Sequence, residues 1–189
     1  MNVALYFGSF NPVHNGHLII ANFLLQSENI DELWFVVSPQ NPFKNEKQLL
    51  NANHRLNLLK IALEGETRLK ASNIEFNLPK PSYTIETLFY LNEKYPDYTF
   101  SILLGSDGFS NIEKWKSAKL LIENYFFWVY ERSGYEILEK KNCNYKILEA
   151  PQLLISSTLI RSMIAENKSI RYFVPDSVWD EIQFQNYYK

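Results

Sequence analysis

Four short stretches of nearly unbroken apolar residues constrain this chain more than any other feature: residues 3–7 (VALYF), 33–37 (LWFVV), 100–104 (FSILL) and 126–130 (FFWVY). A strand wetted on one face alternates polar and apolar residues, whereas a strand covered on both faces does not. These runs, rich in β-branched and aromatic residues, therefore predict buried parallel strands, and residues 146–148 offer a further short one. Helical patterns lie between them. Residues 18–25 are apolar on most sides, which predicts a deeply packed helix, while Leu56, Leu59 and Leu63 recur at helical spacing, as do Ile85, Leu88 and Leu91. The order β-α-β-α, a middle section, then α-β-α-β and C-terminal helices over residues 177–188, predicts a doubly wound, Rossmann-like α/β fold. It has a parallel sheet with helices on both faces. A length of 189 residues suits one domain with its own core, so residues 1–189 are expected to form a single domain.

Composition excludes more than it proposes. A formal charge of −2 gives no general attraction to nucleic acid or to anionic membranes, so any phosphate ligand needs a local cationic pocket. Cys143 is the only cysteine, which leaves neither an intrachain disulfide nor a CxxC metal site and predicts a cytoplasmic protein. No apolar run approaches the ~20 residues of a membrane span. The aromatic content could cover a core or an interface, which leaves a homo-oligomer open.

Chemistry gathers in two segments. The first strand runs into Gly8-Ser9-Phe10-Asn11-Pro12-Val13-His14-Asn15-Gly16-His17. Gly8 permits close backbone approach or positive φ, and Asn15 is the expected N-cap of the helix that follows. His14 and His17, two of the three histidines, stand three apart at a helix start, where free N–H groups and the helix dipole favour an anion. Zinc is a weak reading, because two ligands do not make a site, and His54 receives no role. The second segment, Ile155-Ser156-Ser157-Thr158-Leu159-Ile160-Arg161, opens a late helix. Ser156 or Ser157 can cap it, and Arg161 adds a permanently charged fork suited to phosphate oxygens. Taken alone, this second segment is a common capping pattern. It gains meaning beside the first.

GSFNPVHNGH resembles the GxFxPxHxGH signature of the nucleotidyltransferase superfamily, and ISSTLIR resembles its second signature, ISSTxxR. Ser38-Pro39-Gln40-Asn41-Pro42-Phe43-Lys44, Pro81-Ser82-Tyr83-Thr84-Ile85-Glu86-Thr87-Leu88, Gly105-Ser106-Asp107, Trp115 and Tyr172-Phe173-Val174-Pro175 resemble nicotinate-nucleotide adenylyltransferases in particular. Asn11 and Glu86 stand where that family more often has Asp, and Phe43 where it often has His.

The resemblance implies transfer of AMP from ATP to nicotinate mononucleotide. It implies catalysis by His14, His17, Lys44 and Arg161, with Lys44 on a polar, basic flap over residues 41–48. ATP would be held by Gly8, Ser9, Phe10, His14, His17, Gly105, Asp107, Ile155, Ser156, Ser157, Thr158 and Arg161. Asp107 would serve ribose hydroxyls or the metal-bound phosphates. The mononucleotide would meet Ser9, Phe10, Lys44, Tyr83, Thr84, Ile85, Trp115 and Lys116, with Trp115 stacking on the pyridine. Mg²⁺ would be carried by the ATP phosphates, without a protein ligand set. Rival readings are a pantetheine-phosphate adenylyltransferase, an enzyme preferring nicotinamide mononucleotide, and a nucleotide-binding regulator without catalysis.

Overall fold

A computed structural model describes residues 1–40 and 49–189. Six strands, β1 (Asn2–Gly8), β2 (Glu32–Val37), β3 (Leu69–Ser72), β4 (Thr99–Gly105), β5 (Phe126–Tyr130) and β6 (Asn144–Leu148), form one sheet in the order β3-β2-β1-β4-β5-β6. Every neighbouring pair is parallel. This is the doubly wound arrangement the apolar runs predict. Its strand order reverses between β1 and β4, and such a reversal leaves a crevice beyond the carboxyl ends of those strands.

The reason for the unbroken apolar runs is visible in the two cores. Successive side chains of a strand point to opposite faces. Ala4, Tyr6, Leu33, Phe35 and Val37 enter one core, closed by helices α1 (Asn15–Ser27), α2 (Ala52–Ala62), α6 (Ser157–Ala165) and α7 (Asp176–Gln185). Val3, Leu5, Val36, Ile102, Leu104, Phe127 and Val129 enter the other, beneath α3 (Thr84–Lys94), α4 (Ser106–Ser110) and α5 (Ala118–Asn124). The two predicted stripes are also buried: Leu56, Leu59 and Leu63 under the first core, Ile85, Leu88 and Leu91 under the second.

Three expectations need correction. Residues 18–25 are not buried throughout, since Ile19 is 38% exposed and Leu18 and Ile20 only partly covered. The helix meets the sheet through Ala21, Leu24 and Leu25. Asn15 does not cap this helix; His14 does, with extended backbone, while the Asn15 N–H donates to the Phe173 carbonyl at 2.9 Å. The C-terminal helix stops at Gln185, because Asn186 turns into the left-handed region at φ 55°. Strand β3 escapes a reading by apolar run: in LKAS at the sheet edge only Leu69 is buried.

Candidate active site

Strand β1 delivers Gly8 to the crevice, and the chain then folds back on itself. Phe10 adopts φ 45° and swings its ring over Gly8, where a Cβ would come within 2.8 Å of it. That contact leaves no room for a side chain at this position. The Phe10 ring is buried against Tyr6, Phe35 and His17, with 5.1 Å between the Phe10 and His17 centroids. The two rings meet nearly at right angles, 77° apart, so Phe10 abuts the imidazole in an edge-type contact.

His14 and His17 stack with centroids 3.7 Å apart, and the His14 backbone N–H donates to His17 Nδ1 at 3.3 Å. A nitrogen that accepts is unprotonated, so the neutral His17 ring carries its proton on Nε2. His14 is buried, and burial first, the positive Arg132 second, lower its pKa to about 4. It is a neutral imidazole at neutral pH.

The shift has a stability consequence with a definite sign. The unfolded ring titrates near 6.5, so between pH 6.5 and 4 the unfolded chain binds more protons than the folded one. This contribution is complete above pH 6.5 and lost as pH falls toward 4, to a total of about 3 kcal/mol. Melting curves across this range should fall more steeply for the wild type than for His14→Gln. Parallel slopes would contradict it.

The second segment is fastened to the first. Ser156 caps α6 by accepting from the Leu159 N–H at 3.1 Å. The Ser157 hydroxyl donates to the Pro12 carbonyl at 2.9 Å, and Arg161 Nη1 donates to the Asn11 carbonyl at 2.9 Å. Both segments line a cavity of about 700 Å³, together with Asp107, Ile155 and Thr158, a volume typical of small-molecule sites. Gly105, at the end of β4, is backed by Asp107 and Arg132, whose atoms would lie 2.5 and 2.7 Å from a Cβ there.

Arg132 is the cavity residue that sequence reading missed. It lies two residues beyond β5 and pairs with Asp107 at 2.9 Å. The only signal for it was a cation just past the carboxyl end of an interior strand. Tyr6 and Tyr130, whose hydroxyls lie 2.9 Å apart, also line this cavity. The segment after α7 comes close too: the buried Tyr188 hydroxyl lies in the field of Arg55 and Arg161.

Tyr83, Thr84, Ile85, Trp115 and Lys116 form a separate patch that the cavity does not include. Helix α3 opens there without a side-chain cap. Lys116 sits 4.4 Å from the Tyr83 ring centroid and bonds to Glu86. The Ile85 side chain is buried in the second core, so only its backbone is available. Trp115 is half-buried against that core. Lys44 and the 41–48 flap lie outside the described residues. Among the described residues, no three His, Cys, Asp or Glu side chains gather for a metal, and no helix is long and apolar enough to cross a membrane.

Residues 5–163 match the cytidylyltransferase-like family. The chain is 41% identical to a protein of Flavobacterium psychrophilum and 42% identical to one of Flavobacterium johnsoniae. Each alignment covers 100% of both chains, and each relative is named "Probable nicotinate-nucleotide adenylyltransferase". The chain belongs to the nicotinate-nucleotide adenylyltransferase family. The fold agrees: the Plasmodium falciparum nicotinic acid mononucleotide adenylyltransferase complexed with NaAD superposes with a TM-score of 0.86 at 25% identity, covering 99% of this chain and 97% of that one. The same enzyme complexed with APC superposes with a TM-score of 0.83. Two positions depart from the commoner pattern of nicotinate-nucleotide adenylyltransferases, and each makes a local contact. Asn11 Oδ1 accepts the Leu50 N–H at 3.1 Å, and Glu86 holds Lys116.

Proposed function

We propose that the chain transfers AMP from ATP to nicotinate mononucleotide, giving nicotinate adenine dinucleotide and pyrophosphate. One observation carries the reading most directly: the two histidines and Arg161, far apart in sequence, line one cavity, and their segments are tied by Arg161 to the Asn11 carbonyl and by Ser157 to the Pro12 carbonyl. A mononucleotide phosphate oxygen attacks the α-phosphorus of ATP as the bond to the bridging β-phosphate oxygen breaks, and pyrophosphate leaves with that electron pair. The nucleophile is already an anion, so the protein's work is positioning and charge stabilisation.

In this scheme His17 Nε2–H donates to the α-phosphate, and His14 donates nearby. Arg161, with Lys44, neutralises the leaving pyrophosphate. The start of α6, Ser156 to Thr158, offers hydroxyl and backbone donors. Asp107 and Arg132, a salt-bridged pair on the cavity wall, meet the ribose and phosphates of ATP. Mg²⁺ adds charge neutralisation when bound. Asp107 and Glu131 line the cavity, and one or two carboxylates suffice for an ion held mainly by phosphate oxygens and water. The uncapped start of α3 suits the nicotinate carboxylate, because its N–H groups donate to a carboxylate more favourably than to an amide that brings donors of its own. Trp115 stacks on the pyridine. The whole of residues 1–189 acts as one nucleotidyltransferase domain in the cytoplasm.

The test offers ATP and Mg²⁺ with nicotinate mononucleotide, nicotinamide mononucleotide or phosphopantetheine, and measures pyrophosphate. Nicotinate mononucleotide should have the highest kcat/KM, by about tenfold or more over the amide. Turnover with phosphopantetheine alone would overturn the reading, as would ATP binding without pyrophosphate from any acceptor.

A further inference from the structure

Arg55 of α2 has no solvent exposure, yet no carboxylate neutralises it among the described residues. Its guanidinium is satisfied by four backbone carbonyls. Nε donates to Leu50 at 2.8 Å, Nη1 to Ser9 and to Ser38 at 3.0 Å, and Nη2 to Pro39 at 3.1 Å. These acceptors come from the loop after β1, the end of β2 and the approach to α2. A buried arginine spent wholly on backbone fixes chain geometry, since five rigidly arranged donors tolerate little displacement of their acceptors.

A second buried group meets the same strand end from the other side. Glu75 is 1% exposed. It accepts the Ser82 hydroxyl at 2.6 Å and the Thr87 hydroxyl at 3.0 Å, both at the start of α3. The Ser38 hydroxyl lies close enough to this carboxyl to favour its charged form. Ser38 is thus held through its carbonyl by Arg55, its N–H donates to the Gly8 carbonyl at 2.9 Å, and its hydroxyl side lies beside Glu75. The peptide after Ser9 is trans, so an Arg55-bound Ser9 carbonyl turns the Phe10 N–H to the opposite side.

We infer that Arg55, Ser38 and Glu75 form a buried brace that sets the phosphate loop against the start of α3, so that Arg55 and Glu75 are positioning residues for the in-line reaction. The inference rests on the proposed adenylyl transfer, which places ATP at the loop and the mononucleotide at α3. The brace would hold the attacking and reacting atoms in register without touching either substrate.

The test compares the full-length wild type with Arg55→Lys and Glu75→Gln, assayed well below the Tm of each. A lysine keeps the charge but cannot span four carbonyls. Arg55→Lys should lower kcat on the order of a hundredfold, with KM for ATP within about threefold, the pattern of misplaced groups rather than lost binding. Glu75→Gln should lower kcat by about tenfold or more. It should also speed amide hydrogen exchange in residues 8–13, which Glu75 does not touch. Folded variants that keep wild-type kcat while losing only Tm would overturn the brace. So would unchanged exchange at residues 8–13 in Glu75→Gln, and this criterion decides alone if Arg55→Lys does not fold. An inactive wild type would count against the adenylyl transfer, whereas the exchange measurement would still judge the brace.

Discussion

His17→Ala lowers kcat by about a thousandfold and leaves KM for ATP within about threefold of wild type. The effect follows from how the ring is held. Its Nδ1 accepts the His14 N–H, its ring meets Phe10 nearly at right angles, and His14 stacks on one of its faces. Nε2–H is then aimed by packing rather than by the ligand, so it costs no reorganisation when negative charge moves onto the α-phosphate oxygens. A donor fixed in this way is worth most in the transition state, here about 4 kcal/mol. Single-turnover formation of the dinucleotide, followed by rapid quench, measures it. A raised KM with unchanged kcat would mean that His17 only binds ATP.

Arg161→Lys should lower kcat/KM for ATP by about a hundredfold. Arg161 has two tasks that a lysine cannot combine. Nη1 holds the Asn11 carbonyl and Nη2 reaches the Thr158 hydroxyl at 3.3 Å, while the side chain still lines the cavity where the triphosphate is proposed to sit. An ammonium retains the charge and loses the planar fork, so either the loop or the phosphates go unserved. Steady-state kinetics with varied ATP report the loss. A lysine variant within about fivefold of wild type would show that charge alone matters there and that the loop needs no tether.

How much of this was legible beforehand depends on how local the physics is. The runs at residues 3–7, 33–37, 100–104 and 126–130 match strands to within a residue or two at each end, because burial on both faces leaves its mark on consecutive positions. Leu69–Ser72 left no such mark, being an edge strand with one buried residue. The capping role of Ser156 was readable from a short polar side chain before a helix. That of His14 was not, because the chain also ties Asn15 to Phe173, which only the fold brings near. Both signature segments were legible, while Arg132 and Arg55 were not. An arginine past a strand or beside a leucine stripe has the same local appearance whether it is solvated, salt-bridged to Asp107 or buried against four carbonyls.

The amino-acid order determined which segments would be strands, which faces would be covered, and that two phosphate-type turns existed. Tertiary structure alone decided that these turns would meet. Arg161 reaches Asn11 across 150 positions because the strand order reverses between β1 and β4 and α6 returns to the opening left there. The same closure buries His14 beside Arg132 and so keeps it neutral. Hydrophobic periodicity is a property of neighbours along the chain, whereas a charge near an imidazole is a property of the path the whole chain takes.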